Sequence, residues 1–179
     1  MRLRRLRDTL PGDAWQRRPE AGTWSPAECV AHLNLTSRAL IPVLRTGLAH
    51  SIDGAPRTAS RYRRDPVGWV IWKLMSPSGG LKTRTVQAFV PSGGTTPPEA
   101  LISEFEQLQA DVIGCVRAAE GRAIDRVRVV SPFDSRVRYN LFAAMTVVPR
   151  HQHRHLLQAE RAGSVAPLLA HAGLVARPS

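Results

Sequence analysis

"WSPAECVAHLNLTSRALIPVL", residues 24–44, opens with the punctuation of a helix and then sets a histidine among its apolar positions. Ser25 is a good N-cap, Pro26 suits the first helical position because its missing N–H has no partner there anyway, and Glu28 completes an S-x-x-E capping box. Val30, Leu33, Leu40 and Val43 supply the apolar positions, and His32 lies between the first two. Pro42 has no N–H and clashes with the carbonyl four residues back, so it predicts a kink or an early end to this helix.

Outward from that helix, the chain alternates apolar-periodic segments with Gly/Pro-rich joints. Leu3, Leu6 and Leu10 mark a short first helix ended by Pro11-Gly12. Residues 46–64 turn to Gly, Ser, Asp, Pro and Arg and read as a long connection. "DPVGWVIWKLM" (65–75) has a cap and first-position proline but is apolar all round, which fits a buried short helix better than a strand; 81–90 reads as irregular or extended. Thr96-Pro97-Pro98-Glu99 reads as a second capping box, followed by Leu101, Phe105, Leu108, Val112, Cys115, Val116 and Ala119 at spacings of three and four up to Gly121. Asn140 caps a last long helix on which Leu141, Ala144, Val148, His151, His155, Ala159 and Ala162 share a face, with Gly163 closing it and Pro149 bending it just before the histidines. The expected architecture is all-α: an antiparallel four-helix bundle with a long connection between its second and third helices. It forms one domain over 1–179, weakly structured from about residue 164.

Composition narrows the function classes. A chain of 179 residues is long enough for one core without staples, and Cys29 and Cys115 are too few for a disulfide framework. The basic start has no apolar stretch behind it, and the densest apolar window, 67–75, is about half a membrane span. The chain therefore reads as mature, soluble and cytoplasmic, with no membrane partner. A net charge of +11 invites nucleic acid, but of 25 basic residues two are lysines, Lys73 and Lys82, and the arginines are scattered from Arg2 to Arg177. That spread reads as base composition rather than a phosphate-binding patch, and nucleic acid is not the expected partner.

The histidines carry the chemistry. At 100° per residue, His151 and His155 are 400° apart and share a face, whereas His153 lies 200° from each and belongs to the surface. Their face is the apolar one, where an unpartnered imidazole costs about 1–3 kcal/mol; hydrogen bonds to carbonyls or a shared metal ion would each remove that cost. His32, on the apolar side of its own helix, is the candidate third ligand. Three neutral imidazoles leave a metal an open position, as catalytic rather than structural sites do. His50 and His171 fall in a loop and the tail, and Cys29 behaves as a small apolar residue. Glu28, the carboxylate nearest His32 in sequence, closes the helix start rather than moving protons, and Gln158 either orients a ligand ring or bonds between helices.

"WSPAECVAHL" (24–33), "KTRTVQAFVPSG…PPEALISEFEQL" and "HQHRHLLQAER" (151–161) together resemble the DinB-like (YfiT-related) four-helix-bundle proteins, over about residues 14–163. In that family one histidine of W-S-P-x-E-x-x-x-H and two of H-x-x-x-H-x-x-Q commonly bind a divalent metal. The resemblance implies His32, His151 and His155 as its ligands here, with Gln158 and Arg154 matching the family's glutamine and arginine; the metal would be Zn, Ni or Fe. It further implies a metal-dependent hydrolase, or a transferase using a low-molecular-weight thiol, acting on a small-molecule substrate. The alternative is a non-catalytic helical interaction module, in which residues 67–75 form an interface patch, as in a homodimer.

Overall fold

The capping box at Ser25 forms as its residues dictate: Ser25 Oγ accepts the Glu28 N–H at 3.2 Å, and Glu28 Oε2 accepts the Ser25 N–H at 2.9 Å. From there helix α2 runs over Pro26–Ala49. In this computed structural model, which describes residues 2–11, 13–51, 62–77, 85–92 and 96–172 with side chains through 164, four further α-helices surround it: α1 (Arg2–Thr9), α3 (Pro66–Leu74), α4 (Pro98–Ala118) and α5 (Leu141–Ala172). A single 3₁₀ turn at Gln87–Phe89 and two short strands, β1 (Arg128–Val130) and β2 (Arg138–Asn140), complete the described elements. Residues 52–61 of the expected connection and 81–84 of the expected irregular stretch lie outside the described residues.

Helix α2 is the central element, packed against α4 on one side and α5 on the other, with Val30, Leu33 and Leu44 fully buried. One apolar cluster joins Leu3 and Trp15 to Ala27, Val30, Leu101 and Ile102, so α1 closes one end. Another joins Leu44 and Leu48 to Cys115, the hairpin's Val129 and Tyr139, and Leu141 at the start of α5. Pro42 does not shorten α2: it lies on the exposed side, and the helix continues seven residues beyond it. The one intrahelical bond that its ring removes would go to the carbonyl of Arg38, itself an exposed residue.

Two helix starts that look alike in sequence behave differently. The N-cap of α4 is Pro97, with no side-chain cap bond, while Thr96 lends only its carbonyl, to Gln16 Nε2 at 3.1 Å. The reason is steric. A Thr96 cap requires helical backbone at Pro97, but Pro98 crowds the preceding residue out of that region, and Pro97 sits extended at φ −56°, ψ 142°. Glu99 is thereby freed to accept from Arg7 Nη1 at 2.6 Å. Asn140 does cap α5, its Oδ1 accepting the Ala143 N–H at 2.8 Å.

The all-α expectation is corrected by the hairpin, which pairs Val129 with Tyr139 antiparallel and turns both inward. Three residues per strand are too few for an alternation to stand out. Helix α3 is a helix as expected, capped by Asp65 Oδ1 on the Gly68 N–H at 3.0 Å, but it is not buried: Val67, Trp69 and Val70 face outward. Gly68 lets it press on α5, since a Cβ there would stand 2.2 Å from that of Ala143. Nor does Gly163 end α5. It sits inside the helix with Leu10 so close that a Cβ would meet it at 2.7 Å, which is how α1 approaches. Among the described residues no helix is long and apolar enough to cross a membrane.

Candidate metal centre

The packing of α5 on α2 brings His151 and His155 to His32. His32 is 4% exposed on α2; the rings of His151 and His155, one turn apart on α5, sit with centroids 5.1 and 4.5 Å from it and 4.5 Å from each other. One ligand atom from each of the three lies within 4.8 Å of the others, so the trio could hold a metal ion. Trp24 covers it from the side, 4.9 Å from the His32 ring and 5.8 Å from that of His155.

Hydrogen bonds set the tautomers. A carbonyl can only accept, so His32 Nδ1 donates to Phe89 O at 2.8 Å and its Nε2 carries a lone pair. His155 Nδ1 meets Gln158 Oε1 at 3.0 Å in the same sense, leaving its Nε2 likewise unprotonated. Such outward bonds fix ring orientation and make imidazoles better donors to metals. Burial makes all three rings hard to protonate. It brings the His155 pKa down to about 3, opposed by the Gln158 bond. It puts that of His151 well below its ordinary value, with His155 and His32 adding to the effect. It lowers that of His32 despite the Phe89 carbonyl. At neutral pH the trio is uncharged, the state that binds metals.

The distance between His32 Nε2 and His151 Nε2, 3.2 Å, admits two chemistries. One is a hydrogen bond donated by His151, since His32 Nε2 can only accept. The other is a shared ion: two imidazoles bound tetrahedrally at 2.0–2.1 Å place their nitrogens about 3.3 Å apart. The donor set fits a divalent cation of the zinc type, with neutral nitrogens, two of them backed by oxygen acceptors.

Beside the rings opens a cavity of about 540 Å³, a size typical of small-molecule sites. Ile71 and Leu74 of α3, Met75 just after it, Leu40 of α2 and Val147 of α5 form part of its wall; Phe89 and, from the hairpin and its turn, Phe133, Val137 and Tyr139 form another. The hairpin segment, whose sequence carries no signal for it, therefore supplies part of the enclosure. Phe89 was equally invisible, because the group that matters is a backbone carbonyl that any residue could offer.

The remaining site candidates fall elsewhere. Glu28 is spent at the α2 start, where it also receives Arg18 Nε at 2.8 Å as part of a two-nitrogen pair. Gln158 Oε1 accepts from His155 Nδ1, within its own helix rather than between helices. Cys29 is buried and free, its thiol pushed up to about 12 by burial, and it is not in the trio. His153 is exposed, and His50 is exposed with its Nδ1 on Thr46 O at 2.7 Å. The side chain of His171 is outside the described residues.

No curated protein and no solved structure matches the chain significantly. A family model of the DinB superfamily matches residues 1–159, which include all three histidines, the hairpin and α1 to α4. The chain belongs to the DinB superfamily.

Proposed function

We propose that the chain is a metal-dependent enzyme, a hydrolase or a low-molecular-weight-thiol transferase, whose divalent ion is held by His32, His151 and His155 and whose small-molecule substrate enters the adjoining cavity. The observation that carries this is the convergence, from two helices, of two lone-pair Nε2 atoms with a third imidazole nitrogen at ligand spacing. The ion, when bound, supplies Lewis-acid chemistry that makes water or a thiol a nucleophile near neutral pH. The chain's own residues do the rest. Phe89 O and Gln158 hold the rings in register, Trp24 shields one side, and the apolar walls exclude water from the reacting groups.

The test is elemental analysis of freshly purified protein beside His32→Ala and His155→Ala. Stoichiometric divalent metal lost in both variants supports the centre. Equal metal in all three would rule it out. A second reading has its own observation: Val67, Trp69 and Val70 are exposed together on α3, as in a non-catalytic module that pairs with a second copy. Sedimentation of wild type against Trp69→Ser separates the readings, since a catalytic monomer would be unchanged.

A further inference from the structure

Among the described residues, the cavity wall carries one cation without a counter-charge. Of its two charged side chains, Asp134 is held by Arg136 through bonds of 3.0 and 2.9 Å that bring its carboxyl down to about 2. Arg154 has no carboxylate within ion-pairing distance among the described residues. Among the described residues one of its five N–H groups is used, Nη1 donating to Leu74 O at 2.9 Å at the end of α3. Arg154 is half-buried, in the wall that holds His151 and His155.

The same α3–α5 seam holds two more half-buried guanidiniums, Arg64 and Arg150, with no carboxylate partner among the described residues. The Cζ atoms of Arg64 and Arg150 lie 4.4 and 3.7 Å from the Trp72 ring centroid, and Arg64 Nε donates to Thr146 Oγ1 at 2.9 Å. Stacking on an aromatic ring tolerates a cation but does not neutralise it. The seam is therefore net positive beside an apolar cavity, where low dielectric strengthens its field.

Three ligand classes can be weighed against this wall. A neutral apolar molecule would strip water from Arg154 and replace none of its hydrogen bonds. A cation would be repelled. An anion with an apolar body satisfies both surfaces, filling the space between Leu40, Ile71, Phe89, Phe133 and Val147 while a planar carboxylate accepts from the guanidinium fork. We propose that the cavity takes an organic anion, with a ring-sized apolar body and a carboxylate head, and that Arg154 pairs with that head beside the three histidines. The assignment rests on the cavity being the substrate site of the proposed centre.

The test uses the full chain, zinc-loaded and chelator-stripped, with 4-phenylbutyrate, 4-phenylbutanamide and 4-phenylbutylamine titrated calorimetrically. The carboxylate is expected to bind at least about tenfold more tightly than the amide in both forms, with the amine weakest. Arg154→Gln should erase that preference without changing zinc stoichiometry, and Arg154→Lys, which keeps the charge, should retain part of it and serves if the glutamine variant fails to fold. Equal affinities, no binding at millimolar probe, or a preference that survives Arg154→Gln would overturn the proposal. A preference confined to the zinc-loaded protein and indifferent to Arg154 would put the anion on the ion, overturning this assignment but not the centre. An Arg154-dependent preference in a protein that binds no zinc would do the reverse.

Discussion

Five arginines of α1 and α2 and three arginines on the α3–α5 seam look alike in the sequence, yet among the described residues the five meet carboxylates and the three do not. Arg2 meets Glu160 at 2.5 Å, Arg4 pairs with Glu106, Arg7 with Glu99, Arg38 with Glu104, and Arg45 with Asp111 at 2.9 Å. Arg64, Arg150 and Arg154 have aromatic rings, a hydroxyl and a carbonyl instead. Paired arginines exposed to water contribute little to stability and dress a surface. Unpaired ones held half out of water beside a cavity keep their charge available for a ligand. An even scatter along the chain thus hides an uneven distribution in space.

The strongest way to sharpen this contrast is to weaken the seam's histidines without touching them. Gln158→Ala frees His155 Nδ1 from its 3.0 Å partner, and loss of such an outward bond lowers metal affinity about 10–100-fold. Competition against a chelator of known affinity measures it; an unchanged constant would mean that Gln158 does not orient a ligand ring. Next in size is Gly68→Ala. In an ordinary helix this change helps by about 1 kcal/mol, but here the new methyl would stand 2.2 Å from Ala143 Cβ and 2.6 Å from Asp65 Oδ1. Overpacking of this kind costs about 1–3 kcal/mol. Urea denaturation should show a net loss, and carboxylate-probe binding should weaken because Ile71 and Leu74 move with α3.

Much of this arrangement is legible in the residues, and the failures are specific. His151 and His155 share a face by helical arithmetic, and the Ser25–Glu28 box fixes the frame that turns His32 toward the core with Val30 and Leu33. What escaped depends on information outside a periodic pattern. The Phe89 carbonyl has no side-chain signature, and the Val129–Tyr139 pair lies in strands too short to alternate visibly. Thr96 fails as a cap because of a steric rule acting between Pro97 and Pro98, which the S/T-x-x-E pattern ignores. Arg154 sits beside the candidate ligand His155, but nothing in the spacing says that the described residues would leave it without a carboxylate.

The two helix starts provide a matched pair for smaller effects. Ser25→Ala removes a buried cap and should cost about 1 kcal/mol, whereas Thr96→Ala should cost nothing measurable by the same denaturation. Glu28 adds a pH signature. Burial alone would raise its carboxyl, but the bonds from Arg18 and Ser25 outweigh it and hold the pKa below the ordinary 4.5. A carboxyl depressed on folding contributes stability that is fully present above 4.5 and lost as pH falls through the folded value. Glu28→Gln should therefore be less stable than wild type at pH 7, and the gap should close in acid below 4.5. A gap independent of pH would mean that the charge of Glu28 contributes nothing and that only its cap bond matters.

The smallest expected effect is the one on which the contrast between the two arginine groups depends. Arg45 and Asp111 are 61% and 44% exposed at the side chain, and their 2.9 Å contact is made in water, where attraction is offset by the entropy of holding two long side chains still. Arg45→Gln should leave stability within about 0.5 kcal/mol of wild type, and raising the salt concentration should not widen the difference. Arg154→Gln should be similarly mild in denaturation yet decisive in anion binding, because Arg154 lines the cavity and has no carboxylate partner among the described residues. If instead Arg45→Gln were to cost well over 1 kcal/mol, pairing on that side would be structural support. Lack of pairing on the seam would then read as a weakness of the fold that selection tolerates, and the case for an anion beside the histidines would rest on the cavity's shape alone.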